Sequence, residues 1–279
     1  MAIIPDNFKQ IIPSIEGWIE SLATQPFPVA LQSWFAVIEV FHILGLFCLA
    51  AAAILVGLRL LGVGFVEATP SSIYRNTRLW LHLGVVLAIV SGILMGLSNA
   101  SKLYDNSAFL WKMIALVAGV IFTYAVLVPT AKREGEVSGG ARIGLILGLL
   151  VWVLALVVMI SKKGGNVAIF HVMFACALIS IFALYGALRW IMLIGLVVLV
   201  VGLQIATHGV VGDPFTETWM TVNKAWMWIA GVFVFGLAAL NIFGRSARPG
   251  TTTLSRLVGY AAILIWVTVG AGGRWIGLT

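Results

Sequence analysis

The sequence predicts an all-α polytopic membrane protein with about eight transmembrane helices, and two observations lead to this prediction. The chain has 279 residues, of which 61% are hydrophobic and only 10% charged, which is far too apolar for a domain dissolved in water. Its apolar residues also form continuous runs rich in Leu, Val and Ala, each near the roughly 20 residues that a helix needs to cross a bilayer. Strands of a membrane β-barrel would show short alternating segments instead.

Eight such runs define the predicted spans. Only the short sequence "ALR" separates the fifth run from the sixth, so a tight turn at the membrane surface is needed there. Without that turn the count falls to seven. The predicted spans are 33–61, 79–97, 109–129, 141–160, 167–186, 189–207, 222–244 and 255–276.

Residues 1–30 precede the first span and are predicted to form an amphipathic helix lying in the membrane interface. Apolar side chains recur here at helical spacing with charged residues between them, which is typical of interfacial helices. The segment lacks the basic start and apolar centre of a signal peptide, so we expect it in the mature protein. The apolar positions are Ile11, Ile12, Ile15, Trp18, Ile19 and Leu22.

The basic residues predict the orientation of the chain. Ten of the 17 lysines and arginines fall on one side of the predicted spans and seven on the other. Because cytoplasmic loops carry the excess of Lys and Arg, the sequence predicts a bacterial inner-membrane protein with both termini in the periplasm. The net charge of +7 is spread over short loops, which excludes a nucleic-acid-binding patch.

An internal duplication divides the spans into two predicted four-helix repeats, 31–161 and 162–279. "VFHILGLFCLA" (40–50) is similar to "IFHVMFACALI" (169–179), and "ARIGLILGLLVWV" (141–153) is similar to "SRLVGYAAILIWV" (255–267). The same register pairs Gly84 with Gly195 and Trp152 with Trp266. Each repeat has an even number of spans, so both enter the membrane in the same direction, as parallel repeats do.

The four histidines of the chain are the most informative residues, because an ionisable side chain inside a bilayer is costly and marks a functional site by default. Counting along the helices places His42, His171 and His208 in the outer leaflet and His82 close to the cytoplasmic face. His42 and His171 occupy equivalent positions in the two repeats, each directly after a phenylalanine. These two are therefore the favoured cofactor ligands.

Two cofactors suit such a set of imidazoles. Two facing histidines in a helical bundle fit bis-His ligation of haem b, and glycines 84, 92 and 96 would leave room for a flat macrocycle. Three neutral imidazoles at one depth fit copper, and His82 is a further metal-ligand candidate. Glu39 and Gln204, which share helix faces with His42 and His208, are candidate hydrogen-bond partners for ligating rings.

Purely structural roles also fit the histidines and stay open. Each histidine alone fits an interhelical hydrogen-bond partner. His208 also fits a surface loop, and His82 beside Trp80 fits an interfacial anchor.

The first repeat also resembles a known group of sequences. It resembles an uncharacterised bacterial family of multi-helix membrane domains in two places. One is "IEVFHILGLFCLAAAAILVGLRLLG" (38–62), and the other is the set of later positions Ala100, Tyr104, Asn106, Ala108, Phe109 and Lys112. More distantly, the layout is similar to four-helix membrane b-type cytochromes and to copper-resistance D-type membrane proteins. This resemblance implies histidine ligation of haem or a role in copper handling, with His42 and His171 as ligands.

Three functions follow as expectations. The first is a b-type haem protein that moves electrons between membrane quinone and a periplasmic redox partner, or serves as the redox subunit of a larger membrane complex or homo-oligomer. The second is copper binding or transfer at His42, His171 and His208. The third is a cofactor-free accessory subunit held in the lipid bilayer by its eleven tryptophans.

Overall fold

A computed structural model describes residues 4–162, 165–210, 216–244 and 250–278. All regular secondary structure in these ranges is helical, which confirms the predicted fold class. A 3₁₀ turn covers Pro13–Ile15, and π-helical stretches cover Thr123–Leu127 and Ile205–Val210. The α-helices are α1 Phe8–Ile11, α2 Glu16–Ser21, α3 Pro26–Ser33, α4 Phe35–Leu60, α5 Pro70–Ser98, α6 Ala100–Tyr104, α7 Ser107–Phe122, α8 Val128–Lys132, α9 Gly139–Ser161, α10 Gly165–Ala183, α11 Ala187–Gln204, α12 Glu217–Phe243 and α13 Thr253–Ile276.

Seven of the described helices are long and apolar enough to cross a membrane, and an eighth is shorter. The short helix is α10, which corresponds to the fifth predicted span. Only residues 184–186 join α10 to α11, and Gly186 has φ +61° there, a conformation that glycine adopts without strain. A tight turn between the fifth and sixth spans is therefore present, but it lies at 184–186, and the predicted turn residues "ALR" (187–189) form the start of α11.

Helix α13 lies at the centre of the bundle. Most of it is buried, and it packs against α4 and α7 on one side and against α10 on another. Close approach of α13 to α4 depends on two glycines, since a Cβ on Gly259 would lie 2.7 Å from the Gly57 carbonyl oxygen. Such small-residue contacts let membrane helices associate through van der Waals packing. The last helix of the predicted second repeat thus packs tightly on the first repeat, and the duplication itself stays a prediction.

Helices α4 and α5 form the most extensive helix pair of the described structure. They cross with Gly45 against Gly84. A Cβ on Gly84 would come within 2.6 Å of the Leu49 backbone nitrogen, and one on Gly45 within 2.7 Å of the Ala88 nitrogen. This crossing fixes the relative position of the side chains that α4 and α5 present one turn further along.

The N-terminal segment covers one end of the bundle, which we call the N-terminal face. This face carries the starts of α4, α7, α10 and α12 and the ends of α5, α9, α11 and α13. The Tyr104 hydroxyl donates to the Ile12 carbonyl at 2.6 Å, and the Lys162 ammonium donates to Asp6 at 2.9 Å and to the Ile4 carbonyl at 3.0 Å. These bonds attach the segment to α6 and to the residue after α9.

The single amphipathic helix expected for residues 1–30 is wrong in one respect, because the structure divides it. Pro13 and Pro26 each start a new helical piece, since proline fits the first turn of a helix but lacks the N–H needed further inside. Apolar side chains remain exposed along the segment, Trp18 at 55% and Phe27 at 60%. Exposed aromatic side chains of this kind suit a segment that lies at a bilayer surface.

Candidate functional site

His42 lies on α4, seven residues and about 10 Å from the helix start at the N-terminal face. The ring is partly buried and turns towards α5, where its Nδ1 lies 3.0 Å from the Ser91 hydroxyl. That hydroxyl donates its only proton to the Leu87 carbonyl of its own helix. Because this hydroxyl is used as a donor to Leu87, we assign Nδ1–H of His42 as the donor to Ser91, and in this tautomer Nε2 keeps its lone pair.

The glycines of α5 have three different environments. Gly84 lies at the crossing with α4, where backbone atoms of α4 leave no space for a side chain. Gly92 accommodates the His42 ring, because a Cβ there would lie 3.2 Å from the ring carbon Cε1. Gly96, one further turn towards the N-terminal face, has no neighbouring atom within 4 Å of a Cβ position. Of the three glycines predicted to make room for a macrocycle, only Gly92 and Gly96 border the His42 ring or open space.

A lysine lies at a depth similar to that of this histidine. Lys112 is five residues, about 8 Å, into α7. Its side-chain stem packs closely on Gly272 of α13, and its ammonium would lie 3.8 Å from a Cβ on Gly273. Both ion pairs of the described residues, Lys9 with Glu16 and Lys162 with Asp6, lie elsewhere. Within the described part of the chain, Lys112 therefore has no ion-pair partner.

Sequence reasoning made Glu39 a candidate hydrogen-bond partner of a ligating histidine, whereas the His42 ring bonds to Ser91. Glu39 is exposed on α4. Sequence reasoning missed Ser91, and it named Lys112 only among the positions that resemble a known family. The one sequence signal for Ser91 is its position next to Gly92, in the part of α5 after His82 that is otherwise apolar up to Leu97.

His171 has a different environment, although its ring has the same tautomer. It is exposed on α10, and its Nδ1 lies 3.1 Å from the Ala168 carbonyl oxygen of the preceding turn. A carbonyl only accepts, so Nδ1–H donates and Nε2 is again free. In the described ranges α4 packs mainly on α5 and α13, while α10 packs on α9, α12 and α13. One chain therefore does not bring His42 and His171 together as a facing pair.

His208 and Gln204 also lie apart from His42. Gln204 ends α11, His208 follows in the π-helical stretch, and both side chains are exposed. Throughout the part of the chain that the structure describes, no three His, Cys, Asp or Glu side chains are close enough to hold a metal ion. The three-histidine copper site expected from the sequence is not assembled there.

His82 belongs to a separate aromatic cluster nearer the opposite end of the bundle. Its Nδ1 is 3.1 Å from the Tyr124 hydroxyl, its Nε2 is 3.5 Å from the Tyr74 hydroxyl, and its ring stacks on Tyr124 at 5.7 Å. The Lys132 ammonium lies 5.5 Å from the centre of the Tyr74 ring. Since both ring nitrogens have phenol partners, His82 forms a hydrogen-bonded cluster rather than presenting a free ligand nitrogen.

Tyr124 reaches this cluster from the π-helical stretch of the third span. Pro129 follows shortly after, and a proline inside a helix removes one backbone hydrogen bond and disturbs the preceding turn.

Comparison with known proteins relates the first part of the chain to a described family. Residues 33–163 match DUF6644, a family of unknown function. The match nearly coincides with the predicted first repeat and contains His42, Ser91 and Lys112, whereas His171 and His208 lie outside it. No curated protein and no solved structure matches the chain.

Proposed function

We propose that this protein is a membrane redox protein that binds haem b through Nε2 of His42. It would transfer electrons between membrane quinone and a periplasmic redox partner, as a bacterial inner-membrane protein whose N-terminal face is periplasmic. The observation that carries the proposal is the hydrogen bond from His42 Nδ1–H to Ser91. Histidines that bind a metal nearly always donate their second ring N–H in this way, which fixes the ring and increases the basicity of the ligating nitrogen.

The surroundings of His42 support the same ligand. The ring lies in an apolar helix pair about 10 Å from the N-terminal face, and a buried, weakly solvated iron is one means by which proteins set a haem potential. The open surface at Gly96 adjoins this ring along α5. A flat porphyrin needs a surface without protruding side chains, and glycines provide one.

Lys112 supports the proposal through its charge. Haem b carries two propionate carboxylates, and each needs a cation or water when the porphyrin lies inside a membrane. Lys112 projects from α7 at a depth similar to that of His42 and has no ion-pair partner among the described residues. We infer that its ammonium would pair with a propionate.

The geometry defines what the chain itself supplies. His42 would hold the iron, Ser91 would orient the imidazole, and Lys112 would balance a propionate. Haem supplies the one-electron chemistry. No second histidine of the described residues faces His42, so His42 would be the one histidine of this chain that holds the group.

The absorption spectrum of the protein purified from haem-replete cells tests the proposal. We expect the Soret and α bands of haem b in the wild type and their loss in His42→Ala. His171→Ala is the matched control, because the His171 ring has the same tautomer as His42 but is exposed. The purified His171→Ala protein should keep the Soret and α bands. A colourless wild-type preparation, or a His42→Ala protein with full haem content, would contradict the proposal and favour a cofactor-free subunit.

A further inference from the structure

An apolar cavity of about 240 Å³ lies between α9, α10 and α12, away from His42. Its walls are Ile160 of α9, Ile169 and Met173 of α10, and an extended stretch of α12. Among the described residues that line it, all are apolar except Lys224. The lining of the cavity therefore suits a ligand that has a hydrocarbon chain and one charged group near the end of that chain.

The cavity runs along α12. Its α12 wall extends from Lys224 to Phe235, which is about 16 Å at the rise of an α-helix. Ile160 is next to the last residue of α9, and Ile169 is in the first turns of α10, so this end of the cavity lies towards the N-terminal face. Lys224 is thus at the end nearest the membrane surface, and the apolar part points towards the membrane interior.

The charge at this end selects the class of occupant. Lys224 is exposed, seven residues into α12, and neither ion pair of the described residues includes it. A lysine at this depth extends its ammonium to the headgroup region while its stem lies along apolar surface. Phosphate complements that ammonium, and an acyl chain complements the cavity below it.

We propose that this cavity is a specific site for an anionic phospholipid, with one acyl chain between α10 and α12 and the phosphate on Lys224. The site stands apart from the haem proposal, since it shares no residue with His42, Ser91 or Lys112. Such a lipid would fill the space between α12 and α10, and would thereby stabilise the packing of the second half of the bundle.

Native mass spectrometry of the delipidated full chain, titrated with phosphatidylglycerol or phosphatidylcholine, tests the site. We expect one saturable phosphatidylglycerol per chain, bound about fivefold more tightly than phosphatidylcholine, because a lysine near a charged surface contributes about 1 kcal/mol. Lys224→Ala should abolish this preference and Lys224→Arg should keep it. Lys102→Ala is the matched control, since Lys102 is an exposed lysine of α6 at the same face.

A second pair of variants tests the cavity rather than the charge. Gly231 lines it, and a Cβ there meets only the Met173 sulfur at 3.8 Å. Gly231→Leu should therefore fill the cavity and weaken binding of both phospholipids at least tenfold. Gly236→Leu is the control, because Gly236 is exposed on the same helix with open space around it and does not line the cavity.

Three results would overturn the proposal. One is a phosphatidylglycerol preference that survives Lys224→Ala, and another is unchanged binding to Gly231→Leu. The third is displacement of phosphatidylglycerol by equimolar fatty acid or isoprenoid quinone through the same residues, which would assign the cavity to that ligand instead.

Discussion

His42 and His171 occupy equivalent positions in the two predicted repeats, but their surroundings differ. His42 is partly buried on α4, donates to Ser91 of α5 and lies against Gly92 of that helix. His171 is exposed and donates only to its own helix. An equivalent position in a repeat therefore gives the same residue and depth, while the neighbouring helix decides whether the residue belongs to a site.

The matched glycines show the same contrast in packing. Gly84 is in contact with the backbone of α4, whereas its counterpart Gly195 faces the ring of Phe233. Backbone atoms of a packed helix cannot move away individually, but an aromatic ring can rotate. The Gly84 contact therefore leaves less room for a side chain than the Gly195 contact, and it lies in the helix pair that holds His42.

The largest predicted effect comes from these two glycines. Gly84→Ala would place a Cβ 2.6 Å from the Leu49 nitrogen, and we expect a loss of about 3 kcal/mol in the free energy of unfolding, since overpacking forces the helices apart. Gly195→Ala would meet the Phe233 ring at 2.1 Å and should cost about 1 kcal/mol after the ring rotates. Unfolding in detergent with increasing SDS measures both, and equal losses would contradict the contrast.

The next effect concerns the His42 ring. Ser91→Ala removes the acceptor of Nδ1–H, so we expect haem affinity to fall by about 10-fold or more, as when other hydrogen-bond partners of ligating histidines are removed. Ser180→Ala is the control, because Ser180 is also buried but bonds to Tyr260 at 3.0 Å in another part of the bundle. Haem titration of the apoprotein measures the affinity. The same loss in both variants would show a general effect on folding rather than a role in orienting His42.

The matched tryptophans predict a smaller and equal effect. The indole N–H of Trp152 donates to Thr268 at 2.9 Å, and that of Trp266 donates to Thr123 at 3.1 Å. Replacing either tryptophan with phenylalanine should cost about 1 kcal/mol of unfolding free energy, the usual contribution of a buried hydrogen bond. Trp190→Phe, at a side chain 64% exposed, should change nothing. A much larger loss for one of the pair would show that the repeats use these tryptophans differently.

The smallest predicted effect is a pH dependence of the N-terminal segment. The hydrogen bond from Lys162 lowers the pKa of the Asp6 carboxyl below its usual 3.8. Because the pKa is lowered in the folded state, the attachment is fully present above pH 3.8 and is lost as the pH falls through the lowered value. Hydrogen exchange of residues 8–21 should accelerate in that acidic range in the wild type.

Asp6→Asn provides the control for this pH effect. It removes the titrating group, so exchange in the segment should be faster at neutral pH and should no longer change with acid in that range. A wild-type segment whose protection is constant down to about pH 2 would show that the Asp6–Lys162 pair does not hold it.

The helices were largely predictable because a membrane span is determined by one property of its own sequence. Each described helix from α4 to α13 overlaps a predicted span, except the short α6. Bounds differed where local chemistry extends a helix beyond the apolar run. For example, α5 begins at Pro70 with Thr69 as its N-cap, nine residues before the apolar run.

The site was only partly predictable. His42 was identified because its charge is costly in a membrane, but the candidate partner named for it was Glu39 on the same helix instead of Ser91 on α5. Sequence spacing indicates which residues share a helix face and does not show which helix that face meets. The same reason explains why His171 and His208 were grouped with His42 although α10 and α11 do not pack beside α4.

The sequence by itself determined the fold class, the approximate positions of the spans and the presence of a short connection before α11. These follow from hydrophobicity and helix geometry along a continuous stretch of chain. Only the tertiary structure decided that α13 lies at the centre, that Ser91 accompanies His42, and that a cavity opens beside Lys224. Those features depend on contacts between residues far apart in the sequence, which packing in three dimensions alone brings together.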